Sequence, residues 1–243
     1  MKKQTILKIC GFALFCSLFG VQAQDLKPIR ILLVGDSTLA PKNGYGDEFC
    51  KHFKAAVTCV NLAKNGRSSS SYRTEGSWDK VIELLKHSEP YEATYVLIEF
   101  GHNDQPGKPG RSTDLKTEFP ANLTRYVSES MALNAKPILS TPLSRRSFSN
   151  GQLVRDLDDW AAATKEVAQK TQTPLIDLLS ISADAVQQMG SAEADTLAVE
   201  PPGKEKSQFD HTHVGLKGAK FFANLVTPLY KAALPNLTPY LID

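Results

Sequence analysis

The sequence predicts an α/β domain in which five parallel strands form a sheet with helices on both faces. Five short apolar segments alternate with segments of helical character, and this alternation is typical of a parallel sheet. The first of these segments, residues 29–34, is apolar at nearly every position, as expected for a central strand that helices cover on both sides. Short polar residues follow it directly at Gly35-Asp36-Ser37-Thr38. In open α/β sheets, ligands bind at the carboxyl ends of the strands.

The other elements follow in order along the chain. After the first strand, further strands are predicted at residues 56–61, 94–100, 137–140 and 175–178. Helices are predicted at residues 44–53, 78–87, 115–133, 153–170 and 216–231. Glycine, proline and serine indicate loops at residues 64–68, 105–111 and 201–206. No repeat, low-complexity tract or linker divides the chain, so we expect one domain, with the strands in the order 2-1-3-4-5.

The N-terminal segment has the features of a cleaved export signal. It combines a basic start, an apolar core over residues 9–20 and the small-residue cleavage site Val21-Gln22-Ala23. The apolar core is too short for a transmembrane helix. We therefore expect residues 1–23 to be a signal peptide cleaved after Ala23, residues 24–243 to be the mature domain, and the product to be periplasmic or secreted without membrane insertion.

Charge excludes two classes of partner. The formal net charge of the whole chain is +2, but three of its 28 basic residues are in the leader. The mature domain is therefore close to neutral and has no basic patch typical of nucleic-acid or membrane-surface proteins. We expect no nucleic-acid partner and a monomeric protein.

Two cysteines remain after the leader is removed, Cys50 and Cys59. In an exported protein they can form a disulfide, but two buried thiols fit the sequence equally well because the geometry decides between them. No C-x-x-C pair occurs, so the sequence does not predict a thiolate zinc site.

Four polar clusters provide the groups that acyl transfer requires. Ser37 can be the nucleophile, His213 can be the base that takes its proton, and Asp210 can orient that base. The backbone N–H groups of Ser37 and Gly66 and the side-chain amide of Asn103 can form the oxyanion hole. Gly66 suits this position because it has no Cβ to obstruct a ligand.

These clusters resemble the conserved blocks of the SGNH, or GDSL-type, hydrolases. The similarity is closest to the rhamnogalacturonan acetylesterase branch, whose blocks are GDST, GRS, FGHND and D-x-T-H. Phe100 completes FGHND here, and residues 141–148 are similar to a segment that follows the fourth strand in that branch. The resemblance covers nearly the whole mature chain, whereas the loop at residues 105–111 is particular to this sequence.

The resemblance implies a flavodoxin-like three-layer α/β/α fold and hydrolysis of acetyl esters on pectic polysaccharide without a metal or other cofactor. The substrate would be an acetylated acidic polysaccharide or oligosaccharide. Arg67, Arg145 and Arg146 could bind its carboxylates, or they could pair with protein carboxylates. His102 is expected beside or behind the site rather than as the base.

Other functions remain open on the residues alone. Asp210, His211 and His213 could form a metal-ligand cluster, and Asp210 could instead cap the following helix. An esterase of other specificity, acting on xylan or on longer acyl chains, would use the same catalytic residues. A carbohydrate-binding protein without catalysis is a further alternative. The α/β-hydrolase motif G-x-S-x-G and the nucleotide motifs are absent from the sequence.

Overall fold

The structure is a computed structural model that describes residue 1, residues 26–199 and residues 210–242. The predicted leader, apart from Met1, and the predicted loop at residues 201–206 lie outside the described residues. In the part of the chain that the structure describes, no helix has both the length and the apolar character needed to cross a membrane.

A five-stranded parallel sheet forms the centre of the fold. Its strands are joined in the order β2-β1-β3-β4-β7, and every neighbouring pair is parallel. This arrangement confirms the predicted fold class and strand order. The sheet comprises β1 (Ile29–Gly35), β2 (Val57–Asn61), β3 (Ala93–Glu99), β4 (Lys136–Ser140) and β7 (Leu175–Ile176). A separate antiparallel hairpin comprises β5 (Phe148–Ser149) and β6 (Gln152–Leu153).

Helices cover both faces of the sheet. They are α1 (Gly46–Cys50), α2 (Ser71–Thr74), α3 (Ser77–Lys86), α4 (Glu118–Ala132), α5 (Asp158–Thr171), α6 (Leu178–Asp195) and α7 (Leu216–Ala233), followed by a short 3₁₀ helix at Pro235–Tyr240.

Successive residues of β1 enter two different cores, as the two-residue period of a strand requires. Ile31 and Leu33 belong to one core, together with buried residues of α1, α6 and α7. Leu32 and Val34 belong to the other core, which includes buried residues of α3, α4 and α5. All seven residues of β1 are buried, so this strand has the central position that its apolar sequence predicted.

Several element boundaries differ from the prediction, three of them substantially. The fifth strand ends at Ile176, and α6 begins at Leu178, so the helix that follows the last strand was missed. The predicted helix at residues 153–170 begins at Asp158, because the residues before it form the hairpin. The first helix is reduced to Gly46–Cys50.

Cys50 and Cys59 form a disulfide, with their Cα atoms 5.5 Å apart. The bond joins the end of α1 to β2, which is an edge strand of the sheet. The geometry therefore favours the first of the two alternatives that the sequence left open.

Candidate active site

The four polar clusters meet in one cleft of about 580 Å³ at the carboxyl end of the sheet. Ser37 lies just after β1, Gly66 and Asn103 follow β2 and β3, and Asp210 and His213 precede α7. All five residues line this cleft. The convergence follows from the parallel sheet, because the loops after its strands leave from the same edge.

Ser37 lies in a tight turn that Gly35 and Asp36 make possible. A Cβ on Gly35 would lie 2.5 Å from the carbonyl oxygen of Glu99, so the close approach of β1 and β3 at this point requires glycine. The Asp36 carboxylate accepts hydrogen bonds from the backbone N–H of Thr38 at 3.0 Å and from its hydroxyl at 2.9 Å. These bonds hold the turn on both sides of Ser37, which is only 3% exposed.

Asp210 and His213 form the hydrogen bond that is expected between an orienting carboxylate and a catalytic base. Asp210 Oδ2 lies 2.8 Å from His213 Nδ1, and Oδ1 accepts hydrogen bonds from the backbone N–H groups of Thr212 at 3.0 Å and His213 at 2.8 Å. A carboxylate at Nδ1 favours the tautomer that carries its hydrogen there, which leaves the lone pair of Nε2 to accept a proton. Burial would raise the pKa of Asp210, but the hydrogen bonds and the charge of His213 outweigh it and lower the pKa.

Arg146 supports this segment from beneath. Its guanidinium donates to the carbonyl oxygens of Asp210 at 3.0 Å and His213 at 2.7 Å, and to that of Thr212 at 3.4 Å. The residue is 1% exposed, and burial lowers its pKa to about 10. The position of Arg146 does not favour the predicted substrate contact, because the guanidinium is buried and donates to the backbone that carries the base.

The other two predicted arginines are also paired within the protein. Arg67 lies outside the cleft lining, and its side chain forms an ion pair with Glu75 at 2.6 Å. Arg145 does line the cleft, where it donates to the Thr212 hydroxyl at 3.1 Å and pairs with Asp156. Of the three, only Arg145 lines the cleft.

Asn103 and Gly66, the predicted oxyanion donors, line the same cleft as Ser37. Asn103 Nδ2 donates one hydrogen to the carbonyl oxygen of Arg67 at 3.1 Å, and Asn103 Oδ1 accepts from Arg111 Nη1 at 3.3 Å. These two contacts define which end of the amide is nitrogen, and the second Nδ2 hydrogen remains for a ligand. Gly66 has a φ of +74°, which strains any residue with a Cβ.

Two basic residues of the cleft, Lys108 and Arg111, were not predicted from the sequence. Both belong to the loop between β3 and α4, which was predicted only as a loop, and both line the cleft. Lys108 Nζ donates to the carbonyl oxygen of His102 at 2.5 Å. Arg111 Nη1 approaches the carbonyl oxygen of Gly66 at 3.4 Å as well as Asn103. Their basic character directly after the Gly-His-Asn-Asp cluster was the available signal.

His102 lines the cleft but is almost fully buried, and it faces a buried carboxylate. It is 2% exposed, and its Nδ1 lies 3.5 Å from Asp36 Oδ2. Burial would raise the pKa of Asp36, but the charge of His102 and the hydrogen bonds from His102 and Thr38 lower it. Asp36 and His102 thus face each other beneath the nucleophile turn.

Two further carboxyl groups are buried below the site. Glu99 accepts a hydrogen bond from the Tyr45 hydroxyl at 2.5 Å, its Oε1 lies 2.9 Å from the Thr38 hydroxyl oxygen, and burial raises its pKa to about 8. Burial also raises the pKa of Asp104 to about 7, although Ser69 donates to it from its backbone and its hydroxyl. These groups fasten the turns after β1, β2 and β3 to one another.

The geometry does not assemble the metal cluster that Asp210, His211 and His213 could have formed. His211 does not line the cleft, and its Nδ1 lies 3.5 Å from Asp195 Oδ1. Among the residues described, no group of three or more histidine, cysteine, aspartate or glutamate side chains is arranged to hold a metal ion.

Comparison with known proteins agrees with this geometry. Residues 33–220 match the model of the GDSL-like lipase/acylhydrolase family. The chain belongs to this family. Membership confirms the resemblance predicted from the four clusters, and it makes the chain a carboxylic-ester hydrolase.

Curated relatives of this GDSL-family hydrolase cover most of its length. Rhamnogalacturonan acetylesterase RhgT of Bacillus subtilis strain 168 is 34% identical over 213 residues, which is 82% of this chain and 88% of the relative. The rhamnogalacturonan acetylesterase of Emericella nidulans is 25% identical over 215 residues, which is 80% of this chain and 81% of the relative.

Solved structures share the fold at low sequence identity. The YxiM protein of Bacillus subtilis superposes with a TM-score of 0.68 at 22% identity, covering 86% of this chain and 58% of that one. The acetylxylan esterase Axe2 of Geobacillus stearothermophilus superposes with a TM-score of 0.61 at 19% identity, covering 84% and 93%.

Proposed function

We propose that this hydrolase removes acetyl groups from pectic polysaccharide, with rhamnogalacturonan as the polymer and Ser37, His213 and Asp210 as the catalytic residues. The observation that carries the proposal is the single cleft in which Ser37, the hydrogen-bonded pair Asp210–His213 and the donors at Gly66 and Asn103 all meet. Acyl transfer requires these groups in one place.

In the proposed reaction, Ser37 Oγ attacks the carbonyl carbon of the acetyl ester while His213 Nε2 takes the hydroxyl proton. The charge that develops on the carbonyl oxygen is stabilised by the backbone N–H groups of Ser37 and Gly66 and by Asn103 Nδ2. The intermediate then collapses, the C–O bond to the sugar breaks, and His213 returns its proton to the sugar oxygen. Asp210 orients His213 and stabilises its charged form.

The acetyl group is then attached to Ser37 as an ester. His213 Nε2 takes a proton from water, and the resulting oxygen nucleophile attacks the same carbonyl carbon. The second intermediate collapses with return of the proton to Ser37 Oγ, and acetate leaves. Water is thus the acyl acceptor, and no other co-substrate is needed.

The choice of polymer is supported by two independent features. Two relatives that match most of the chain are named rhamnogalacturonan acetylesterase RhgT and probable rhamnogalacturonan acetylesterase YesY. The cleft also contains the basic residues Lys108, Arg111 and Arg145, which suit an anionic polymer. The low-identity similarity to an acetylxylan esterase supports the fold and not the substrate.

We also propose that the protein is exported to the periplasm or the medium, where such polymers are degraded, and that it acts as a monomer. The export signal predicted at residues 1–23 supports this location. Comparison of the N-terminal residue of the purified exported protein with Gln24 tests the cleavage site.

The specificity is tested by comparing acetate release from acetylated rhamnogalacturonan, acetylated xylan and a long-chain ester at equal enzyme concentration. Rhamnogalacturonan should be deacetylated fastest. Faster turnover of xylan or of the long-chain ester would overturn the substrate and leave the catalytic residues intact. Binding of the polymer without acetate release would instead indicate a carbohydrate-binding protein.

A further inference from the structure

The loop between β3 and α4 presents two cations to the cleft that lack an acidic partner. Lys108 and Arg111 both line the cleft beside Ser37. Within residues 26–199 and 210–242, neither forms an ion pair with a carboxylate, whereas Arg145 in the same cleft is paired with Asp156.

The contacts that these two side chains do make leave donors free for a ligand. Lys108 Nζ donates to one carbonyl oxygen, that of His102. Arg111 uses Nη1 for the oxygens of Gly66 and Asn103. An ammonium group has three donor hydrogens and a guanidinium group has five, so each cation can still donate to an acceptor in the cleft.

Hydrogen bonds within the loop hold the two cations in place. The backbone N–H of Thr113 donates to the carbonyl oxygen of Asp104 at 2.9 Å, and the Ser112 hydroxyl donates to the carbonyl oxygen of Gln105 at 2.8 Å. The backbone N–H of Arg111 donates to the carbonyl oxygen of Lys108 at 3.0 Å. A ligand therefore meets an ordered loop, which lowers the entropy cost of binding.

The local electrostatics favour an anion at this position. Burial lowers the pKa of Lys108, and the charges of Arg145 and Arg111 lower it further, although those of Asp36 and Asp104 raise it. Lys108 is thus repelled by the two arginines that share its cleft. A bound carboxylate would relieve that repulsion and would accept charge-assisted hydrogen bonds.

We propose that Lys108 and Arg111 bind a uronate carboxylate of the polymer in the cleft beside Ser37. The inference rests on the proposed function and deepens it, because it names the residues that select an acidic polymer over a neutral one. Carboxylate binding, which the sequence predicted for Arg67, Arg145 and Arg146, is thereby assigned to the loop between β3 and α4.

The test compares two forms of one polymer within each protein. Acetylated rhamnogalacturonan is prepared in its native form and in a form whose uronate carboxyls are reduced to alcohols, at equal acetyl content. For the wild type, KM should be about fivefold to tenfold higher on the reduced form, since a partly exposed ionic contact is lost. For Lys108→Met, the ratio of the two KM values should fall towards one.

The matched control is Lys116→Met, which removes an exposed lysine outside the cleft lining and should keep the wild-type ratio. Each ratio is measured within one protein, so any loss of stability or of the chemical step affects both substrates alike. Lys108→Gln serves as a second variant if Lys108→Met does not fold, and the same fall in the ratio is expected.

A ratio near one for the wild type, or a wild-type ratio in both Lys108 variants, would overturn the proposal while the acetylesterase function stood. Absence of acetate release from the native polymer by the wild type would contradict the proposed function instead.

A separate measurement distinguishes a uronate carboxylate from the acetate product as the ligand of the two cations. Galacturonate should inhibit hydrolysis of 4-nitrophenyl acetate more strongly than free acetate does, and stronger inhibition by acetate would assign the two cations to the product.

Discussion

Replacement of Arg146 should damage both stability and catalysis, although this residue lies outside the cleft lining. Its guanidinium holds the segment that carries the orienting carboxylate and the base, through the carbonyl oxygens of Asp210, Thr212 and His213. In Arg146→Met the apolar stem and most of the volume remain, so the perturbation is concentrated on these hydrogen bonds. The variant thus tests the hydrogen bonds from Arg146 to the segment that carries Asp210 and His213, with little change in packing.

The structure indicates the size of the effect. The contacts to Asp210 and His213, at 3.0 and 2.7 Å, are short, and a hydrogen bond to a charged group contributes about 1.5–3 kcal/mol. Burying the cation offsets part of this gain, and its Nε has no hydrogen-bond partner among the described residues. We therefore expect the free energy of unfolding to fall by about 2–4 kcal/mol, which corresponds to roughly 5–15 °C in Tm.

Replacement of Arg146 should also lower kcat, because it would displace the base His213. A displacement of His213 by about 1 Å would lower the rate by roughly 10²-fold. Because Arg146 does not touch the substrate, kcat for 4-nitrophenyl acetate should fall while KM changes little. Arg146→Lys should restore part of kcat, since an ammonium group can still donate to one or two of the carbonyl oxygens.

The assay combines thermal unfolding with steady-state kinetics, and the control is Arg155→Met. Arg155 forms a half-exposed ion pair with Asp158, so its loss should change the free energy of unfolding by less than about 1 kcal/mol. If Arg146→Met kept the wild-type Tm and kcat, the inference that Arg146 anchors the catalytic segment would be refuted.

The remaining predictions concern the buried carboxyl, the disulfide, the oxyanion hole and the base. Because the pKa of Glu99 is raised from 4.5 to about 8, the folded state keeps a proton that the unfolded state releases, so the free energy of unfolding should fall as pH rises through this window. Glu99→Gln should flatten that dependence in urea unfolding, and an unchanged slope would contradict the assignment. Reduction of the bond between Cys50 and Cys59 should lower the free energy of unfolding by about 3 kcal/mol, which denaturation with and without a reductant measures. Asn103→Ala should lower kcat by roughly 10²–10³; a loss under about threefold would remove Asn103 from the oxyanion hole. His211→Ala should remain active and activity should survive EDTA, whereas loss of activity that zinc restores would favour a metal mechanism.

The sequence predicted the sheet because its physical signals were local. The apolar run of β1 indicated a strand buried on both faces, and the polar residues after each strand end indicated where the clusters would meet. Asp210 and His213 are three residues apart, so their pairing needed only a local turn. Ser37 could be assigned to the same cleft because parallel strands bring their carboxyl ends to one edge.

The features that the sequence did not predict depend on the path of the chain in three dimensions. Arg145 and Arg146 are adjacent and chemically identical, yet one lines the cleft and the other is buried against backbone carbonyls. Local periodicity cannot separate them. Lys108 and Arg111 were missed for a related reason, because a loop rich in glycine and proline has no period from which side-chain directions can be inferred.

In the proposed mechanism, Ser37 carries the acetyl group between the polymer and water. The most direct test measures acetate released from acetylated rhamnogalacturonan by the wild type and by Ser37→Ala, with folding of the variant checked by its Tm. We predict steady release by the wild type and a loss of several orders of magnitude in kcat for the folded variant. Release by folded Ser37→Ala at a rate close to that of the wild type would contradict the account.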